Sequence, residues 1–89
     1  MRAVITVVGR DMVGILAKVS GECAARGVNI TEVSQTVLQD MFCMIMLADC
    51  SGCDTPFTEF ADRLGALGPE LGLSIHVMHE DIFDSMHRV

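Results

Sequence analysis

The chain has no tryptophan and no tyrosine; its aromatic residues are four phenylalanines among 89 residues. It therefore offers no obvious platform on which nucleobases could stack. Positive charge is also scarce. Six Lys and Arg face twelve Asp and Glu, a net charge of −6 with a pI of about 4.7. Phosphate binding needs a basic face, so no nucleic-acid partner is predicted. Proline occurs only twice, and no linker, repeat or low-complexity stretch interrupts the sequence. The N-terminal apolar run is short and breaks at Gly9-Arg10-Asp11. Neither a signal peptide nor a membrane span is predicted, and a cytoplasmic location is the expectation.

Apolar residues, by contrast, are plentiful: 51% of the chain, with a mean hydropathy of +0.45. A chain of this length is expected to form one domain over residues 1–89, with a core that is only marginal alone. It cannot easily hide so much apolar surface, so self-association follows as an expectation.

Residues 2–8 read as a strand rich in branched side chains. Asp11 is placed to cap a helix running to about Arg26, with Leu16, Val19 and Cys23 on its buried stripe. Gly27 ends it. A second strand opens at Val28-Asn29-Ile30 and runs to Leu38. Gln39-Asp40 is a tight polar break, and Met41 to Asp49 completes an antiparallel hairpin. Thr55-Pro56 suggests a cap with proline at the first helical position. Phe57, Phe60, Ala61, Leu64, Leu67 and Leu71 mark the stripe of a second helix, whose end Gly68 and Pro69 should fray or interrupt. Leu73 to Met78 forms a fourth strand, and Asp81 to His87 a short terminal helix.

The order βαββαβ predicts an α+β fold, a ferredoxin-like sandwich with a four-stranded antiparallel sheet and two helices on one face. The other face should be polar if it meets water, yet "AVITVV" and "MFCMIMLA" are apolar at odd and even positions alike. Such strands are expected where both faces are covered. A homodimer or larger assembly could cover that face, extend the sheet edge to edge, or do both.

Function must come from sites, because this fold hosts many. The loop after the first strand has no cysteine pair, unlike metal carriers of this fold, and the strands lack the aromatics of its RNA-binding branch. The stretch "TVVGRDMVGILAKVSGECAARGVNITEVSQTV" resembles the signature of the ACT domain, a small-molecule sensor in amino-acid metabolism. The frame is Asp11, Gly14 and Ile15, then Val19-Ser20, then Gly27, Asn29 and Ile30, and finally Ser34-Gln35-Thr36. The whole chain is similar to stand-alone single-ACT proteins and to the ACT modules of the glycine-cleavage repressor group. The resemblance implies a bound amino acid or similar metabolite at an interface between ACT domains. It selects Arg10, Asp11, Met12, Val13, Gly14 and Ile15 in the first loop, with Asn29 and Ile30 opening the second strand.

The chemistry of those residues agrees. A helix N-terminus offers unpaired amides and a positive dipole end suited to a carboxylate. Asp11 or the Asn29 side-chain carbonyl could accept from an ammonium group. Simpler readings stand beside these: Asp11 as a cap, Gly14 as a packing glycine, Asn29 as a turn residue.

Cys50-Ser-Gly-Cys53 has metal or redox spacing, but zinc needs about four ligands and a second cysteine pair is missing. With no export signal, reduced thiols are expected, Cys23 and Cys43 being core residues. His76 and His79 read as satisfied or edge histidines. No catalytic arrangement, metal site or cofactor is predicted. The resulting expectation is a non-catalytic, homodimeric regulatory domain that signals to an unidentified protein partner. The alternatives are a dimerisation adaptor without a ligand and a metal or thiol-redox protein using Cys50 and Cys53.

Overall fold

The computed structural model describes residues 1–10 and 14–86. The elements are β1 (Arg2–Gly9), α1 (Ile15–Ala25), β2 (Asn29–Leu38), β3 (Met41–Asp49), α2 (Phe57–Leu71), β4 (Ser74–His79) and α3 (Glu80–Met86). The strands form one sheet in the order β2-β3-β1-β4, with every neighbouring pair antiparallel. Two βαβ units are thus interleaved, as the ferredoxin-like reading required.

Strand periodicity sorts the side chains. Ala3, Ile5 and Val7 of β1 lie opposite Ala48, Met46 and Met44 of β3, and all six are buried against the helices. From α1 come Ile15, Val19 and Cys23, so the stripe is set by Ile15. Leu16, expected inside, is 40% exposed. Phe60, Leu64 and Gly68 supply the buried face of α2, with Phe57, Leu67 and Leu71 packed around it.

Both helices end in the same hydrogen-bond pattern around a left-handed glycine. At α1, Val28 N–H donates to the Cys23 carbonyl at 2.8 Å and Gly27 N–H to Ala24 at 3.1 Å, with Gly27 at φ 78°. At α2, Leu73 N–H donates to Gly68 at 2.8 Å and Gly72 N–H to Pro69 at 3.3 Å. Orphan carbonyls are satisfied in this way where a helix stops.

Pro69 therefore does not break α2, which runs on to Leu71. The proline sits on the exposed side in the last turn, where one lost donor costs least. Gly68 has a packing role: a Cβ there would lie 2.8 Å from the Leu73 carbonyl oxygen. At the other end of α2, Pro56 occupies the cap position and its carbonyl accepts from Phe60 N–H at 3.1 Å. Thr55 thus lies one residue outside the cap expected of it.

The second face of the sheet carries Val4, Thr6 and Val8 of β1, paired with Leu47, Ile45 and Cys43 of β3. Its two central strands are largely apolar, as the sequence indicated, but the edge strands bring Glu32, Ser34 and Thr36 of β2 and Ser74 and His76 of β4 to the same face. Part of it is covered by α3: Arg2 donates to Glu80 at 2.9 Å through Nη2, and its Nε also contacts the other carboxylate oxygen. This pair fastens α3 beside β1, and Val4 is only 1% exposed. Ile45, further along, is 44% exposed. The terminal helix begins one residue before Asp81, and His87 lies outside the described residues.

Candidate functional site

The first loop joins β1 to α1 at one end of the sheet. Asp11, Met12 and Val13 lie outside the described residues, and with them the side chain expected to cap α1. The cap position belongs to Gly14, at φ 74°, whose carbonyl accepts from Lys18 N–H at 3.0 Å. A Cβ on Gly14 would meet nothing within 4 Å. This glycine serves a left-handed entry into the helix rather than close packing.

No side chain caps α1 among the described residues, and no acidic residue lies in its first turn. Among the described residues, no side chain competes with solvent or an anion for its leading amides and positive dipole end. Arg10 follows β1 at this end of the sheet, largely exposed, with Nε 3.9 Å from an Asp40 carboxylate oxygen. At that separation in water the pair holds Arg10 only weakly. Ile15 opens α1, and its side chain is committed to the core at 4% exposure.

Asn29 and Ile30 are elsewhere. Gly9, where the loop begins, lies opposite Phe42, whereas Asn29 lies opposite Asp49. Seven ladder positions separate those two levels, about 23 Å at 3.3 Å per residue. Within one protomer the candidate residues therefore form two groups at opposite ends of the sheet. Asn29 is exposed, and Ile30 is half-buried against the core.

Between the two groups runs β2, an edge strand on which every residue from Thr31 to Leu38 is exposed. Val33, Val37 and Leu38 are 40%, 53% and 63% exposed. A bulge between Ile30 and Glu32 puts Thr31 out of register, and its hydroxyl donates to the Leu47 carbonyl at 3.2 Å. The rest of the strand is a long unpaired edge, the kind of surface that pairs with another chain.

A shallow groove of about 240 Å³ lies on the second sheet face, between Val4, Ile45, Leu47 and Phe83 with Glu32 and Ser34 at its rim. It is far from the amides of α1 and was not foreseen, because only the packing of α3 on β1 creates it.

The thiols were also only partly legible. Cys23 of α1 and Cys50 and Cys53 after β3 share one corner of the core, and all four cysteines are free. The signal in the sequence was that α1 ends, and β3 ends, at the same end of the sheet. Burial first, and then the neighbouring Cys50, push the Cys23 thiol up to about 11. An unfolded chain would release this proton near pH 8.5. Between those two values the unfolded state binds fewer protons, so the stability Cys23 contributes is full below the lower value and falls as pH rises. Unfolding by denaturant from neutral pH to about pH 10.5 should show a steeper alkaline loss in the native chain than in Cys23→Ala. Equal slopes would assign the alkaline loss to other groups.

The two described histidines make local contacts. His76 Nε2 lies 3.1 Å from the Ser74 hydroxyl, and His79 Nδ1 accepts from Asp81 N–H at 3.1 Å. His79 also meets Phe57 edge-on, with ring centroids 6.2 Å apart. Among the described residues, no three of His, Cys, Asp and Glu are gathered as a metal site. No described helix is long and apolar enough to cross a membrane.

The fold and the loop frame define a class: the ACT-domain family profile matches residues 2–78, and the chain belongs to that family. In sequence it is similar to a UPF0237 protein of Methanopyrus kandleri, 46% identical over 88 residues, 99% of this chain and 98% of that one. A UPF0237 protein of Clostridium acetobutylicum is 46% identical over the full length of both chains. Among solved structures, an ACT domain protein from Streptococcus pneumoniae superposes with a TM-score of 0.82 at 40% identity, covering 98% of each chain. A candidate glycine cleavage system transcriptional repressor matches with a TM-score of 0.71 at 26% identity, over 89% of this chain and 47% of that one. The regulatory subunit of aspartate kinase from Thermus thermophilus matches at 27% identity and a TM-score of 0.59, over 89% of this chain and 51% of that one.

Proposed function

We propose that residues 1–89 act as one ACT domain, a non-catalytic regulatory module that binds an amino acid or related metabolite between two copies. The bound state would then be read by a partner protein. The observation that carries this reading is the separation of the two candidate groups along an exposed edge strand. If β2 pairs antiparallel with β2 of a second copy about its middle, near Ser34, position 29 of one copy falls level with position 39 of the other. Asn29 of the second copy then stands at the end of the sheet where Arg10 and the α1 amides lie. The site would be complete only in the assembly.

In that arrangement the α1 amides and Arg10 take the ligand's carboxylate, while the Asn29 side chain takes its ammonium group. Gly14 keeps the approach open, and the choice among ligands falls to Arg10, Met12 and Val13. A ligand that contacts both copies favours the paired state, and this shift in population is the signal available to a partner. The similarity to a regulatory subunit of aspartate kinase supports a regulatory role.

The test is a thermal-shift screen of the purified protein against amino acids, repeated on Asn29→Ala and on Val37→Lys, which puts charge on the pairing strand. A ligand at about a hundred times its dissociation constant should add roughly 2.7 kcal/mol, a rise on the order of 10 °C or more for so small a domain. The shift should disappear in both variants. A stable dimer with no response across the panel would replace this reading with that of a dimerisation adaptor.

A further inference from the structure

The loop between β3 and α2 is tied down at several points. Cys50 N–H donates to the Met1 carbonyl at 2.9 Å, and Asp54 N–H to the Arg26 carbonyl at 2.9 Å. Ser51 N–H donates to an Asp49 carboxylate oxygen at 2.9 Å, and the Gly52 carbonyl presses on the Cα of Gly27 so closely that no Cβ fits there. Cys53 N–H donates to the Cys50 carbonyl at 3.1 Å, which closes a β-turn over residues 50–53. A β-turn holds its end Cα atoms within about 7 Å, the span a disulfide requires.

The two thiols differ in access. Cys53 is partly exposed, with its sulfur 3.6 Å from the Thr55 hydroxyl, while Cys50 is 7% exposed. Beneath them Cys23 is fully buried, and burial raises its thiol. Cys43 stands on the other face of the sheet, seven residues back along the chain from Cys50 and about 23 Å away in extended strand.

We propose that Cys50 and Cys53 form a reversible intramolecular disulfide by exchange with a low-molecular-weight disulfide, and that the closed bond acts on the joint between α1 and β2. The Cys53 thiolate attacks the small disulfide, forming a mixed disulfide and expelling one thiolate. The Cys50 thiolate then attacks the Cys53 sulfur and expels the second. Two protein thiols are oxidised, one small disulfide is reduced to two thiols, and the two protons given up by the protein thiols end on the two expelled thiolates. Drawing the two sulfurs together moves the backbone from Gly52 to Asp54, which holds Arg26 and Gly27. Asn29 follows two residues later. This inference is independent of the proposed ligand.

The test uses the purified chain in mixtures of oxidised and reduced glutathione, quenched by alkylation and read by peptide mass spectrometry. The expected product has lost two hydrogens across Cys50 and Cys53, returns to the dithiol with dithiothreitol, and leaves Cys23 alkylatable after unfolding. Cys50→Ser should trap one glutathione on Cys53, whereas Cys53→Ser should acquire it at Cys50 on the order of tenfold more slowly. Backbone amide shifts on oxidation should extend from the loop to Arg26–Asn29. A persistent glutathione adduct on the native chain, a bond to Cys23 or a bond between chains would overturn the pairing. Shifts confined to residues 50–54 would overturn its action on the joint.

Discussion

Phe60→Ala should lower the melting temperature by about 20 °C, the largest loss expected from a single side-chain truncation. Phe60 lies on the buried face of α2 with no exposure, the largest side chain in the core that is fully enclosed. Truncating such a phenylalanine costs about 3–5 kcal/mol, because the transfer term and the cavity term add. A domain of 89 residues has only about 4–13 kcal/mol in total. Each kcal/mol moves the melting point of such a domain by about 4–8 °C. Phe60→Leu retains most of the volume and should cost no more than about 1.5 kcal/mol. If the alanine variant melted within a few degrees of the native chain, the layer between α2 and the sheet would not be the packed core described above.

The second large effect is a matter of a single added carbon. Gly27→Ala should destabilise the fold by about 2–3 kcal/mol, and Gly72→Ala by only about 1 kcal/mol. The two glycines end α1 and α2 in the same hydrogen-bond pattern, at φ 78° and φ 70°. Left-handed backbone therefore costs alanine the same at both. The difference is space. A Cβ at position 72 meets nothing within 4 Å, whereas at position 27 it collides with the Gly52 carbonyl. That obstacle is backbone, fixed by the Asp54–Arg26 hydrogen bond, and cannot rotate away as a side chain would. Equilibrium unfolding of both variants separates the conformational cost from the overlap. Equal losses would show that the loop from Cys50 to Asp54 yields freely.

Strand and helix identities were legible from the character of each run. The continuous, largely branched apolar run of β1, the apolar run of β3 closed by the Gln39-Asp40 break, and the three- and four-residue spacing of Phe57, Phe60, Leu64 and Leu71 leave little choice of element. Helix ends were less so. Thr55-Pro56 satisfies the rule for a cap and a first helical residue, yet the chain enters α2 one residue later, with Pro56 itself at the cap. Gly68-Pro69 reads as a breaker, but on the exposed side of a last turn the missing amide removes one hydrogen bond without ending the helix. At α1 the buried stripe was displaced by one residue, from Leu16 to Ile15. Both are apolar, and only the direction in which the helix meets the sheet selects between them.

The site shows the same division. The residues offered a glycine at a helix start, and the family resemblance selected with it an arginine at the helix mouth and an asparagine opening the next strand. These are chemical types, and a sequence carries them directly. What it did not carry was their distance. Residues 14 and 29 are fifteen apart, and a helix of one length or another could have brought them together or held them apart. The register of β2 and β1 on β3 places them at opposite ends of the sheet. The meeting of Cys23 with Cys50 and Cys53, and the groove under Phe83, arise likewise from contacts between segments remote in the chain.

The sequence by itself determined the order of elements, the apolar character of the two central strands, the family frame and the acidic balance of the chain. All of these depend on local propensity, on periodicity or on sums over residues. The tertiary structure decided which groups face one another: the described candidate residues divided between two ends of the sheet, an edge strand left open between them, and three thiols gathered in one corner. Those outcomes depend on strand register and on how helices cross the sheet, and both are settled only when the whole chain packs at once.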